Sequence, residues 1–260
     1  LVMGAGALGS IFGGFLIKSG HDVTLVGLDE HLRAMQADGL TITGLWGEHT
    51  LKNLKTSYGT EGLKGTFDCV LLAVKSYITP QAITQCLPFI HSETLVVSIQ
   101  NGLGNWETIA TAVGWHRTVG ARIIFGADIP RPGTARVTVY ADKVLLGSPT
   151  GAVPYERILP IVDDLNLAGI PTAFSAEIAS QLWGKVLYNC SLNALGAIFG
   201  VPYGFLAEGP ETVRLIRAII QEVFAVAGAK GITLPYAEPA EYERVLLDKQ
   251  LPPTVTHHSS

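Results

Sequence analysis

The sequence predicts an α/β domain with a parallel sheet followed by an all-helical domain, and three observations carry that prediction. Short runs rich in Val, Leu and Ile alternate with helical patterns through the first half of the chain. Those runs are apolar at successive positions, as strands buried on both faces must be. From about Phe174 the strand signals thin out and long helical patterns take over. The boundary is therefore placed after residue 173, giving domains 1–173 and 174–260.

Taken in order, "LVMG" is a buried strand and "ALGSIFGGFLIKSG" a helix ending at Gly20. "HDVTLVG" is the next strand and "DEHLRAMQADG" the next helix. "FDCVLLAV" and "ETLVVSIQ" are further strands, separated by the helical "SYITPQAITQCLPFI". "RTVGARIIFGADI", "GTARVTVYA" and "DKVLLGS" read as later strands that extend the sheet with antiparallel members. "AEIASQLWGKVLYNCSLNALGAIFG" and "GPETVRLIRAIIQEVFAVAGAKG" then read as long helices. Gly209-Pro210 puts a proline at the first helical position of the second, where an N–H has no partner to lose. A short helical stretch and a proline-bearing tail follow.

Composition excludes several classes. A chain of 260 residues with 48% hydrophobic content can bury a sizeable core. Its formal net charge of −4, without a run of one sign, argues against a nucleic-acid surface or a polybasic membrane patch. Residues 1–17 are uncharged, but a signal peptide needs a basic start and a span needs about 20 apolar residues. Neither is expected here, because Lys18 ends the run and glycines interrupt it. Cys69, Cys86 and Cys190 lack metal-type spacing and sit among apolar neighbours, as reduced, buried thiols of a cytoplasmic protein would. His257 and His258 have no visible third ligand, so no metal is expected. Glu222, among apolar neighbours, reads as a partly exposed helix carboxylate.

"GAGALG", Gly4 to Gly9, follows a strand directly and opens a helix. This is the setting of the Rossmann-type dinucleotide fingerprint. Gly4 allows the tight turn, Gly6 a close approach of backbone to pyrophosphate, and Gly9 close helix–strand packing. The helix N-terminus adds N–H groups and a positive dipole. At the end of the next strand, "VGLDEHLR" offers Asp29 either to a ribose hydroxyl or to the following helix as its N-cap. His31 and Arg33 leave a 2′-phosphate open. Lys75 and Asn101 each follow a buried strand, where ligands of open α/β sheets bind. A solvated strand end and an ordinary Asn-Gly turn are the plainer readings of these two.

One helical pattern stands apart. Lys185, Asn189 and Asn193 recur at four-residue spacing and share one face, drifting about 40° per step. Asparagine is a poor choice for a solvated helix surface. Carboxamides that donate and accept, beside a lysine that can give a proton, suit a face turned to a polar substrate.

Together, "GAGALG", "AVKSY", "IQNGLGN", "WGKVLYNCSLNALGAI" and "HHSS" resemble, in order, the motifs of the ketopantoate reductase (2-dehydropantoate 2-reductase) family. The resemblance implies a Rossmann domain and a helical domain with the active site in the cleft between them. It implies reduction of 2-dehydropantoate to (R)-pantoate, a step of pantothenate biosynthesis, with NADP(H) as cofactor and NAD(H) the alternative. By the same match Lys185 is the general acid. Gly4, Ala5, Gly6, Ala7, Leu8, Gly9, Lys75, Asn101 and Ala127 bind cofactor, and Asn101, Asn189, Asn193 and Ser260 bind the small 2-oxoacid. Two positions depart from the family pattern: Leu28 stands where an arginine reads the 2′-phosphate, and Tyr203 where an asparagine touches substrate. The family's glutamate past the serine lies beyond residue 260. An NAD-dependent D-2-hydroxyacid dehydrogenase acting on another branched or aromatic 2-oxoacid is the alternative enzyme. A dinucleotide-sensing protein without catalysis is the alternative of another class, though it would have no need of Lys185. No nucleic-acid or membrane partner is expected, and a homodimer is the assembly considered.

Overall fold

The computed structural model describes residues 1–250 of the chain. They fall into two compact units, one spanning Leu1–Ile178 and the other starting at Ala179. The strands are β1 (Val2–Met3), β2 (Thr24–Gly27), β3 (Leu40–Gly44), β4 (His49–Leu51), β5 (Lys55–Tyr58), β6 (Phe67–Leu72), β7 (Ile90–Ser98), β8 (Thr118–Arg122), β9 (Phe125–Arg131), β10 (Thr134–Tyr140), β11 (Val144–Gly147) and β12 (Thr172–Phe174). The helices of the first unit are α1 (Ala7–Lys18), α2 (Glu30–Asp38), α3 (Thr79–Cys86), α4 (Asn105–Val113) and α5 (Tyr155–Ala168). Helix α6 (Ile178–Phe199) starts on the last residue of that unit.

The main sheet has the order β12-β11-β8-β7-β6-β1-β2-β5. From β5 to β8 all neighbours are parallel, so β5-β2-β1-β6-β7-β8 is the doubly wound order of a nucleotide-binding sheet. The order reverses between β1 and β6, and the crevice outside their carboxyl ends is where such sheets hold ligands. Strand alternation divides the core in two. Val2, Leu25, Leu71 and Val97 face α1 and α5 side chains such as Phe12, Phe15 and Ile158. Met3, Val26, Leu72 and Val96 face Ile83 of α3 and Ile109 of α4. Continuous apolar runs are the consequence of covering both faces.

The later strands correct one expectation. β11 does extend the main sheet antiparallel to β8, but β8 itself joins it in parallel. β9 and β10 leave that sheet and form a second one, of order β4-β3-β10-β9, in which β10 pairs in parallel with β3. Polar and charged residues alternate along β10, and Ala135 and Val137 face the core while Arg136 and Thr138 are exposed. That one-sided pattern belongs to a sheet covering the core, not to its two-sided centre.

The second unit continues with α7 (Tyr203–Leu206), α8 (Pro210–Ala229) and α9 (Pro239–Val245). Pro210 does sit in the first turn of α8, with Gly209 as N-cap. Leu187, Leu192 and Leu195 of α6 pack with Tyr203, Leu206, Ile216, Ile220 and Tyr242 in a separate helical core. Glu222 is exposed on α8. Cys69 and Cys86 are covered, and burial pushes both thiols up to about 11. Cys190 is exposed, contrary to expectation, and is not among the residues of that core. No helix among the described residues is long and apolar enough to cross a membrane.

Candidate active site

The glycine loop connects β1 to α1 at the point where the strand order reverses. Gly4 takes φ +107°, and a Cβ there would lie 2.8 Å from the Val74 nitrogen. A side chain is therefore barred by both backbone conformation and the neighbouring loop. A Cβ on Gly9 would run into the Gly4 carbonyl oxygen. Gly6 differs: nothing lies within 4 Å of its side-chain direction. It is the N-cap of α1, no side chain caps that helix, and its first turn has no acidic residue. Open space above an uncapped helix N-terminus suits a pyrophosphate, so these residues fit a dinucleotide.

At the end of β2 the alternatives for Asp29 are decided in part. Asp29 is the N-cap of α2, its Oδ1 accepting from the Leu32 N–H at 3.1 Å. Leu28 beside it is 67% exposed. Tyr58, at the end of β5 opposite Gly27, donates its hydroxyl proton to the Leu28 carbonyl. The Arg33 guanidinium lies over the Tyr58 ring, 5.5 Å from its centre, and reaches the phenol oxygen at 3.5 Å. This end of the crevice is thus an exposed shelf of Leu28, Tyr58 and Arg33.

His31 performs a structural task behind that shelf. Its Nδ1 accepts from the Gly133 N–H at 2.9 Å, so the proton sits on Nε2, which faces the Ser10 hydroxyl at 3.0 Å. Ser10 in turn donates to the Ala5 carbonyl at 3.2 Å. Helices α1 and α2 and the β9–β10 turn are thereby tied to the glycine loop. Burial holds the His31 imidazole below its ordinary value, with Asp29 pulling weakly the other way.

Lys75 and Asn101 come out on adjacent loops. Lys75 is exposed and precedes a short 3-10 turn, Ser76–Ile78, that leads into α3. Ser76 donates its hydroxyl proton to the Asn101 carbonyl at 2.8 Å. Val74, one residue before Lys75, packs on Gly4. The glycine loop, Lys75 and Asn101 therefore share one end of the sheet. Beneath them Thr79, Gln100 and Asn105 form a buried hydrogen-bonded cluster. The sequence reading passed over these three, although a Gln and an Asn bracketing "NGLG" after a strand buried on both faces were a visible signal.

On α6, Lys185 and Asn189 are half-buried and Asn193 is exposed. The Asn193 Oδ1 accepts from the Tyr203 hydroxyl at 2.7 Å. Tyr203 is 6% exposed and lies edge-on to Tyr188, 6.1 Å between ring centres. Burial pushes the Tyr203 phenol up, so it stays protonated and donates. The asparagine's carbonyl end is thus engaged, and its N–H groups are the end turned to other partners.

Ala127 lies on β9, paired with Val137 and half-buried, five residues past the carboxyl end of β8. Ser260, like His257 and His258, lies outside the described residues. Among the described residues no group of three or more His, Cys, Asp or Glu side chains could hold a metal ion.

Comparison with known proteins accords with this arrangement. The family model described as ketopantoate reductase PanE/ApbA matches residues 1–151, and its C-terminal counterpart matches residues 177–260. A 2-dehydropantoate 2-reductase of Aquifex aeolicus is 35% identical over the whole chain, which covers 82% of that protein. A PanE/ApbA family ketopantoate reductase from Ralstonia eutropha superimposes with a TM-score of 0.83 at 29% identity, covering 100% of this chain and 82% of that one. The ternary structure of D-mandelate dehydrogenase with NADH and anilino(oxo)acetate shares the fold at 22% identity, with a TM-score of 0.83 over 99% of this chain and 82% of its own. The chain belongs to the ketopantoate reductase family.

Proposed function

We propose that this chain reduces 2-dehydropantoate to (R)-pantoate with a reduced nicotinamide dinucleotide, and that Lys185 gives the proton. The observation that carries this reading is a chain of this family with a glycine loop at the switch point and a lysine–carboxamide face on α6. When bound, the nicotinamide supplies a hydride to C2 of the oxoacid. The chain's own residues bind, orient and protonate.

The N-terminus of α1, with Gly4, Ala5, Gly6, Ala7, Leu8 and Gly9, holds the pyrophosphate. Lys75, Asn101 and Ala127 hold the nicotinamide side. Asn189, Asn193 and Ser260 bind the oxoacid, and Asn101 touches it as well. As charge develops on the carbonyl oxygen, Lys185 transfers a proton to it, and ketone, hydride and proton together make the secondary alcohol. Lysine is then reprotonated from solvent.

NADP(H) is the cofactor in this reading, with NAD(H) also accepted. Leu28 brings no charge to a 2′-phosphate, and Arg33 on Tyr58 is the nearby cation on the shelf. A second reading rests on Tyr203. A buried phenol bonded to Asn193, where the family has an asparagine, favours a branched or aromatic 2-oxoacid and D-2-hydroxyacid dehydrogenase activity. Steady-state rates with NADPH and NADH across a panel of 2-oxoacids separate the two. The proposal expects 2-dehydropantoate to have the highest kcat/KM. A tenfold or greater preference for an aromatic 2-oxoacid supports the second reading, and no oxidation of either cofactor rejects both.

A further inference from the structure

The loops carrying Lys75 and Asn101 are joined by hydrogen bonds that all run in one direction. Ser98 donates its hydroxyl proton to Gln100 Oε1 at 3.2 Å. Gln100 Nε2 donates to Thr79 Oγ1 at 2.7 Å and to the Val74 carbonyl at 2.9 Å. Thr79 donates to Asn105 Oδ1 at 2.9 Å. Asn105 Nδ2 donates to Ser76 Oγ at 3.1 Å and to the Asn101 carbonyl at 3.0 Å. Ser76 then donates to the same Asn101 carbonyl.

Each link fixes the next. Thr79 has one proton and spends it on Asn105, so its lone pair must receive Gln100. Flipping either carboxamide would set oxygen against oxygen, at the Val74 carbonyl for Gln100 and at the Asn101 carbonyl for Asn105. Ser98, Thr79, Gln100 and Asn105 are 0%, 1%, 7% and 4% exposed, so water does not compete along most of the chain. In such surroundings aligned hydrogen bonds polarise one another, and a missing member leaves its neighbours stranded. The exposed ends, Lys75, Ser76 and Asn101, hang from this buried spine.

We infer that Thr79, at the centre of the relay, is a positioning residue for cofactor binding: it holds the Lys75 and Asn101 loops in one spacing through Gln100 and Asn105. This rests on the reading above, in which those loops hold the nicotinamide side. Thr79 is 1% exposed and acts through its two neighbours.

Thr79→Val removes the hydroxyl at constant shape, and Thr79→Ser keeps it. Ile83→Val, in the same helix core, is the control for lost stability alone. Dinucleotide dissociation constants are measured by fluorescence titration with NADPH and NADH, beside thermal melts. Wild type binding neither dinucleotide overturns the functional reading itself. With wild type binding, the expected result is that Thr79→Val weakens binding about tenfold, or about 1.4 kcal/mol. Thr79→Ser should stay within about twofold of wild type, a loss below 0.5 kcal/mol at 1.4 kcal/mol per decade, and Ile83→Val should melt lower without weakening binding. Folded Thr79→Val that binds like wild type overturns the inference. So does a Ile83→Val variant that weakens binding equally, or failure of Thr79→Ser to restore it. Ser76→Ala, an exposed change, decides the matter if Thr79→Val does not fold. A rise of about threefold, some 0.7 kcal/mol, supports the relay, and no rise overturns it.

Discussion

The two ends of the crevice in the α/β unit proposed to hold the dinucleotide are built on opposite terms. At the carboxyl ends of β6 and β7 every polar group of the buried relay has a partner, and Lys75 and Asn101 project from a fixed base. At the ends of β2 and β5, Leu28 is 67% and Tyr58 51% exposed, and Arg33 reaches Tyr58 only at 3.5 Å. Hydride transfer tolerates little misplacement, whereas an adenosine end serves chiefly to bind. The fixed end is suited to setting the rate and the affinity common to both cofactors, the open end to setting the preference between them.

The largest effect is expected on α6. Lys185→Ala should lower kcat by about 10²–10⁴, the usual worth of a general acid, while dinucleotide affinity stays within about twofold. Titration and steady-state rates on one preparation check this. A variant with near wild-type turnover removes Lys185 from the chemistry.

A side chain on the glycine loop should matter next. Gly9→Ala drives a methyl group into the Gly4 carbonyl, which cannot move without shifting the loop proposed to hold the pyrophosphate. Overpacking of about 1–3 kcal/mol corresponds to roughly 5- to 150-fold weaker dinucleotide binding. Binding unchanged by calorimetry would mean that the loop yields and is less fixed than described.

The open end should give smaller and more selective changes. Arg33→Ala should weaken NADPH by up to about fivefold, as expected for an exposed charge on a phosphate worth about 1 kcal/mol or less, and leave NADH nearly unchanged. Equal losses for both would show that Arg33 supports the shelf and reads no phosphate.

The smallest effect is in pH. The folded His31 binds its proton less readily than in the unfolded chain, so the unfolded state takes up more protons as pH falls below about 6.5. Its contribution to stability is present above that pH and is lost as pH drops toward the lowered folded value. Thermal melts should therefore fall between pH 6.5 and 5 in wild type and fall less in His31→Gln. A parallel decline in both would place the acid sensitivity elsewhere.

Much of this was legible in the sequence because its cause is local. The glycine loop, the buried strands and Pro210 at the head of α8 each declare themselves within a few residues. β3, β4 and β5 did not: "LTITG", "HTL" and "KTSY" mix Thr, Lys and His with few apolar positions, and they become strands through partners far away in the chain. The exit of β9 and β10 to a second sheet depends on the parallel pairing of Thr134 with Thr41, which no local pattern encodes. Helix α5 carries Pro160 inside it, which obscures its helical pattern in the sequence. At the site, residues matching single motifs were readable. The relay was not, because Thr79, Gln100 and Asn105 become neighbours only when β6 and β7 pair. Asp29 could be resolved as an N-cap only once Leu32 was in place.

The contrast between the two ends is tested most directly by kcat and KM for NADPH and NADH with saturating 2-dehydropantoate on the wild-type protein. If the fixed end acts alike on both cofactors and the open end sets the preference between them, kcat should agree within about threefold, and the difference should fall on KM. A kcat that differs more than about tenfold, a gap of about 1.4 kcal/mol in the barrier, with similar KM values, would contradict that division.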